Sequence, residues 1–130
     1  MLLDTHALLW WLSASDRLGP AARKALRRTS AERPARVSSI SLFEITTAVR
    51  RGRLELSLPV DDWLAEAGAL PELRFEPVTP AIAALAGRIG DELHGDPGDR
   101  LIAATAMHLA LPLITADAKL RALVGLRTIW

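Results

Sequence analysis

The sequence contains no cysteine, few aromatic residues (5%) and almost no excess of charge, the formal net charge being +1. Without cysteine there are no disulfides and no thiolate metal sites, so a bound metal has to be held by oxygen or imidazole; a reducing compartment fits. A net charge so close to zero produces no overall field that would announce a polyanionic partner, and local charge has to carry any such argument. Long apolar runs are missing as well: stretches such as Ala7 to Leu12 fall far short of the roughly 20 residues that span a bilayer. The opening Met-Leu-Leu-Asp-Thr-His lacks the basic region and small-residue cleavage site of a secretory leader. The expectation is therefore a cytoplasmic protein with no membrane association. What is present is a chain of 130 residues, 50% hydrophobic and 24% charged, the balance of a globular domain. One domain over residues 1–130 is expected, with no repeat, low-complexity tract or linker.

Short strand-like runs alternate with longer stretches of helical period, which points to an α/β fold with a mainly parallel sheet. Leu2-Leu3 reads as a first strand and His6 to Ser13 as a buried helix; Pro20 suits the first turn of a helix to about Arg28. Arg36 to Ile40 reads as a second strand. Ser41-Leu42-Phe43-Glu44 matches a capping box that opens a helix with Leu42, Ile45 and Val49 on one stripe, stopped by Gly52. Leu54 to Leu58, followed by Pro59, reads as a loop or edge element, and a helix is expected from about Val60 to Leu70. Arg74 to Val78 gives a third strand, and Ile82, Leu85, Ala86, Ile89 and Leu93 give a helix after Pro80. In His94-Gly95-Asp96-Pro97-Gly98-Asp99-Arg100, Asp96 can cap, Pro97 can take the first helical position and Asp99 falls in the first turn of an apolar helix, Leu101 to Leu111. Leu113 to Thr115 is the fourth strand, Asp117 to Val124 a short helix and Arg127 to Ile129 the fifth strand.

Four carboxylates attract attention through this placement. In an open parallel sheet, ligands bind beyond the carboxyl ends of the strands, where residues distant in sequence converge. Asp4 follows the first strand, Glu44 lies in the first turn after the second, Asp99 opens the helix that feeds the fourth, and Asp117 lies just after the fourth. Each has a structural reading by itself, because acidic residues favour helix N-termini: Asp4 as a cap, Glu44 completing a box with Ser41, Asp96 and Asp99 serving a turn, Asp117 in a first turn capped by Thr115. As a set they would repel one another and raise one another's pKa values unless a cation neutralised them. All-oxygen ligation suits Mg²⁺, with Mn²⁺ as a substitute, and such an ion leaves positions for a substrate phosphate. Hydrolysis of a phosphodiester by activated water is the chemistry these residues fit.

The order and spacing of Leu2-Leu3-Asp4-Thr5-His6, Ser38-Ser39-Ile40-Ser41-Leu42-Phe43-Glu44-Ile45, Asp96-Pro97-Gly98-Asp99-Arg100-Leu101-Ile102-Ala103-Ala104 and Leu113-Ile114-Thr115-Ala116-Asp117 resemble those of PIN-domain ribonucleases. The likeness is to the VapC-type toxins of toxin–antitoxin pairs and covers nearly the whole chain. It implies a three-layer α/β/α sandwich around a five-stranded, mainly parallel sheet. It assigns an acidic quartet to Asp4, Glu44, Asp99 and Asp117, with Asp4 and Asp99 as principal Mg²⁺ ligands, Asp117 helping directly or through water, and Glu44 positioning water or a second ion. Thr5 and Thr115 become supporting hydroxyls and Asp96 an auxiliary carboxylate. The resemblance also implies a homodimer, cleavage of structured RNA and inhibition by a cognate antitoxin.

Other readings compete with this one. A housekeeping RNA-processing PIN enzyme shares the quartet but usually carries an added RNA-binding domain. A phospho-signalling receiver gathers carboxylates and a lysine, here Lys119, but needs its phosphoacceptor Asp after the third strand, where this chain has Val78-Thr79-Pro80. An inactive binding module fits an intact quartet least well. His6 and His94 border the acidic segments, whereas His108 reads as a packed core residue. Trp10, Trp11, Trp63 and Trp130 are too scattered for a base-stacking row and read as core or interface anchors. Arg23, Lys24, Arg27, Arg28, Arg50, Arg51 and Arg53 are candidates for phosphate contacts or for plain solvated faces.

Overall fold

A computed structural model describes residues 1–90, 93 and 96–130. Five strands form one parallel sheet: β1 (Leu2–Leu3), β2 (Ala35–Ser38), β3 (Leu73–Glu76), β4 (Leu113–Ile114) and β5 (Thr128–Ile129), in the order β3-β2-β1-β4-β5. Each neighbouring pair is parallel, with Leu2 opposite both Arg36 and Leu113, and Leu3 opposite Val37 and Ile114. The two-residue β1 is thus the central strand. Its backbone bonds continue past its end, Asp4 N donating to Ile114 O at 3.1 Å.

Successive residues of a strand face opposite sides, and a parallel sheet is covered on both. Leu2 points into a cluster with Ile82, Ala86, Ile102, Ala103, Ala106, Leu113 and Leu120. Leu3 points the other way, into a cluster with Ala7, Leu8, Ala22, Leu26, Val37, Ile45, Ala67 and Ile114. The first cluster is closed by α5 (Pro80–Arg88), α6 (Pro97–His108) and α7 (Ala118–Ala122), the second by α1 (Thr5–Leu12), α2 (Pro20–Leu26), α3 (Ile40–Arg50) and α4 (Val60–Ala69). The result is the expected α/β/α sandwich. All four tryptophans pack, partly buried, against the second cluster. Among the described residues no helix is long and apolar enough to cross a membrane.

Several boundaries differ from the sequence expectation. The second strand ends at Ser38, not Ile40, because Ile40 already opens α3. Ser41 therefore does not cap: Ser39 holds the N-cap position, its hydroxyl donating to Glu76 O at 2.8 Å and not serving as a cap, and the capping box does not form. Glu44 consequently falls in the second turn of α3 rather than the first. Strand β3 spans Leu73–Glu76 and is tied to β2 by Arg36 Nη1 to Glu76 Oε1 at 2.8 Å. Helix α5 ends at Arg88, although Ile89 and Leu93 stay buried beyond it. Helix α6 begins at Pro97, the first helical position expected for it, but ends at His108 and not at Leu111. His108 is exposed, not packed in the core, since the enclosed part of α6 runs from Ile102 to Ala106 and the last turn emerges beyond it. The expectation for His94 lies outside the described residues.

Removing side-chain volume from the helical layers that cover this sheet should be costly, and Ile102 of α6 is almost wholly buried there. Ile102→Ala is expected to lose about 2–5 kcal/mol in denaturant unfolding, whereas Val124→Ser, at a position 92% exposed, should stay within about 0.5 kcal/mol of the parent.

Candidate active site

Three helix N-termini and one helix face meet beyond the carboxyl ends of β1, β2 and β4. Asp4 is the N-cap of α1, its Oδ1 accepting from Ala7 N at 2.6 Å. Asp96 is the N-cap of α6, accepting from Gly98 N at 2.9 Å and Asp99 N at 3.3 Å. Asp117 is the N-cap of α7, accepting from Lys119 N at 2.8 Å and Leu120 N at 3.0 Å. Each cap satisfies orphan backbone donors and places its charge at the positive end of a helix dipole. Asp117 thus caps the helix itself, and Thr115 Oγ1 accepts from Asp117 N at 3.0 Å. Asp99 occupies the first turn of α6, as expected from the sequence.

These carboxylates surround one pocket of about 200 Å³, lined by Asp4, Thr5, His6, Glu44, Asp96, Asp99, Ile102 and Asp117. All four members of the expected quartet are there, together with Thr5 and Asp96. Thr115 is fully buried, and its hydroxyl is one of the groups that hold the Asp4 carboxyl down. A wider groove of about 610 Å³ opens alongside, sharing Thr5, His6 and Glu44 and lined further on by Trp10, Trp63, Arg17 and Arg53. Of the candidate phosphate contacts, Arg53 faces this groove, while Arg23 is spent on its own loop, donating to Leu18 O and Asp16 O. His6 is exposed at the rim, its ring 5.6 Å from that of Trp10.

The electrostatics follow from the crowding. Burial raises the pKa of Asp4, which is only 6% exposed, against the opposing bonds from Thr115 and Ala7. Glu44 is raised by burial too, opposed by the hydroxyl of Thr5 and reinforced by Asp96. Asp99 is pushed up to about 7, first by burial and then by the charges of Asp96, Asp117, Glu44 and Asp4. Among the described residues no lysine or arginine lines this pocket, and of its lining groups His6 alone counters the carboxylates by charge, drawing Asp4 and Glu44 down.

The donor set is oxygen throughout, which suits a hard divalent ion. Among the described residues, no three Asp, Glu or His side chains converge as a preassembled metal cage. The fit therefore rests on donor chemistry: the carboxylates of Asp4, Glu44, Asp96, Asp99 and Asp117 that line the pocket are the ligand type a hard divalent ion takes.

Two features escaped the sequence reading. Gly98, to which the sequence assigns no role, gives room to Glu44: a Cβ there would stand 3.1 Å from Glu44 Cδ and 3.2 Å from Glu44 Oε1. Ser41, freed from capping, is fully buried and lies 2.9 Å from Thr5 Oγ1. The glycine between Pro97 and Asp99 was the available sign of close approach.

The direction of the Asp99 shift sets a pH dependence. Its folded pKa lies above the ordinary 3.8, so the native state binds more protons than the unfolded chain between those values, and metal-free stability falls as pH rises from about 4 to about 7. Asp99→Asn removes that penalty. In EDTA at pH 8 its melting temperature should exceed the parent's by roughly a few degrees, and the difference should vanish near pH 4. A variant equally destabilised at both pH values would show that Asp99 is held by structural bonds instead.

The PIN domain family model matches residues 1–126. Ribonuclease VapC22 of Mycobacterium tuberculosis (strain ATCC 25618 / H37Rv) is 36% identical over 121 residues, covering 93% of this chain and 89% of that protein. Among solved structures, VapBC2 from Rickettsia felis bound to a promoter DNA fragment aligns with a TM-score of 0.69 at 18% identity, covering 98% of this chain and 95% of that one. FitAcB from Neisseria gonorrhoeae aligns with a TM-score of 0.67 at 24% identity, covering 98% and 94%. These structural likenesses speak for the fold. The family model and the VapC relative carry membership, and with the acid-lined pocket at the head of the parallel sheet they lead to one conclusion: the chain belongs to the PIN domain family.

Proposed function

We propose that this chain, as a single PIN domain over residues 1–130, is a divalent-metal-dependent endoribonuclease that acts as the toxin of a VapBC-type pair. The observation that carries the reading is the convergence of Asp4, Glu44, Asp99 and Asp117 on one pocket, with the Asp99 pKa pushed up to about 7 by burial and then by its acidic neighbours. Asp4 and Asp99 would be the principal holders of Mg²⁺ or Mn²⁺, with Asp117 completing the set directly or through water. A bound ion of this kind stabilises charge on the scissile phosphate and the leaving oxygen and makes water a better nucleophile. Glu44 accepts a hydrogen bond from the attacking water and aims it. Thr5 holds Glu44, Thr115 holds Asp4, and Asp96 fixes the first turn of α6 so that Asp99 faces the pocket. Water adds across a phosphodiester bond of structured RNA without a covalent intermediate.

A likeness to VapC22 and to VapBC assemblies supports a cognate antitoxin as partner; a homodimer as the working unit is part of the proposal. In the doubly wound order 2-1-3-4-5 of receiver-type folds the third strand adjoins the first. Here β3 is at the sheet edge, so the carboxylates lie around β1 and β4 and not around a phosphoacceptor on β3.

The test is cleavage of a total RNA pool by purified, partner-free protein under Mg²⁺, Mn²⁺ or EDTA, beside Asp4→Asn and Asp99→Asn. Discrete products should appear with either ion and disappear with EDTA, and each variant should lose on the order of a hundredfold or more in rate. Cleavage indifferent to EDTA and to both substitutions would overturn the proposal.

A further inference from the structure

We propose that Ser41 is a positioning residue for Glu44 that acts through the hydroxyl of Thr5; its effect on activity rests on the nuclease reading above, whereas the contact itself does not. Ser41 and Glu44 are three residues apart on α3, so their side chains lie on one helix face, one turn from each other. Ser41 is 0% exposed, and the helix start at Ile40 leaves its hydroxyl with no capping duty. Thr5 Oγ1, across on α1, stands 2.9 Å from Ser41 Oγ and 2.9 Å from Glu44 Oε1.

Counting protons fixes the direction of this chain. A threonine hydroxyl has one proton to give and lone pairs to accept with, and an ionised carboxylate only accepts. The Thr5 proton therefore goes to Glu44. The 2.9 Å contact with Ser41 must then be made by the proton of Ser41, donated to Thr5 Oγ1. The order is Ser41 O–H to Thr5 Oγ1, and Thr5 O–H to Glu44 Oε1. With its lone pair occupied by Ser41, the Thr5 rotor is held in the one orientation that serves Glu44, and each bond polarises the next. Gly98 bounds the opposite side, since any Cβ there would press on the Glu44 carboxyl group. Glu44 is thus held between a directed hydroxyl and a bare backbone, at the border shared by the acidic pocket and the larger groove.

A Ser41 that merely satisfies a buried hydroxyl makes a different prediction from one that works through Thr5, and a double-mutant cycle separates them. Ser41→Ala is compared with the parent, and Ser41→Ala/Thr5→Val with Thr5→Val, by kcat and KM on a cleaved RNA with Mg²⁺. Ser41→Ala should lower kcat roughly tenfold at unchanged KM, and should change nothing further once Thr5 is Val. Equal losses in both backgrounds, or no loss in either, would overturn the proposal. The second readout needs no activity: the order parameter of the Glu44 side chain, by carbon relaxation in metal-free protein, should fall in Ser41→Ala as it does in Thr5→Val. Unchanged order in Ser41→Ala would also overturn it. If the parent cuts no RNA but Glu44 loosens in Ser41→Ala, the relay stands and the nuclease reading fails.

Discussion

Like charges packed into a pocket of about 200 Å³ repel, and the way this chain tolerates that repulsion shapes much of what surrounds the pocket. Asp4, Asp96 and Asp117 each begin a helix, so backbone N–H groups and helix dipoles partly offset their charge. Hydroxyls of Thr5 and Thr115 do the same for Glu44 and Asp4. Asp99 has the least compensation and shows it, its pKa drawn up to about 7. Such an arrangement is stable only on a scaffold that holds the groups in place regardless. The sheet provides that scaffold: Leu2, Leu3, Leu113 and Ile114 are wholly buried, with helices on both faces. Stability gained in the two apolar layers offsets electrostatic strain at their shared upper edge, the usual relation between a rigid core and a demanding site.

Much of this was legible in the sequence, for identifiable reasons. The alternation of strand-like and helical periods gave the α/β class, and Pro20, Pro80 and Pro97 marked three helix starts where the structure has them. Asp96-Pro97-Gly98-Asp99 carried its own cap chemistry, so its geometry followed from local preference alone. The quartet was readable because parallel topology sends every strand end to one side. The second strand and its helix were misjudged: Ser41 and Glu44 have the spacing of a capping box, but Ile40 already turns helical, and tertiary contact with Thr5 takes the hydroxyl that local preference would have assigned to a cap. His108 was misjudged because an apolar helix suggests burial along its whole length, whereas only the middle of α6, Ile102 to Ala106, is enclosed and the last turn emerges. The room that Gly98 leaves for Glu44 is a contact between α6 and α3: the glycine is a local sign of close approach, but no local pattern names Glu44 as the neighbour.

Family membership and pocket chemistry answer different questions. Membership, carried by the match over residues 1–126 and by the VapC relative, identifies the scaffold. Folds host many functions, so the reaction has to be argued from the site. In this chain the site offers oxygen donors, a raised carboxylate pKa, a rim with His6, and a groove that reaches Arg17 and Arg53. Those are the parts a hydrolysis of phosphodiesters needs: places for a hard cation, a group to orient water, and a path for a long substrate.

The central claim is that Asp99 is held in an electrostatically disfavoured state that a divalent cation relieves. Titration of carboxyl carbon resonances by NMR, in metal-free protein and again with saturating Mg²⁺, measures it directly. The account predicts that Asp99 titrates near 7 without metal and well below its ordinary 3.8 when the ion is bound. An Asp99 that titrates near 3.8 without metal and does not respond to Mg²⁺ would contradict it.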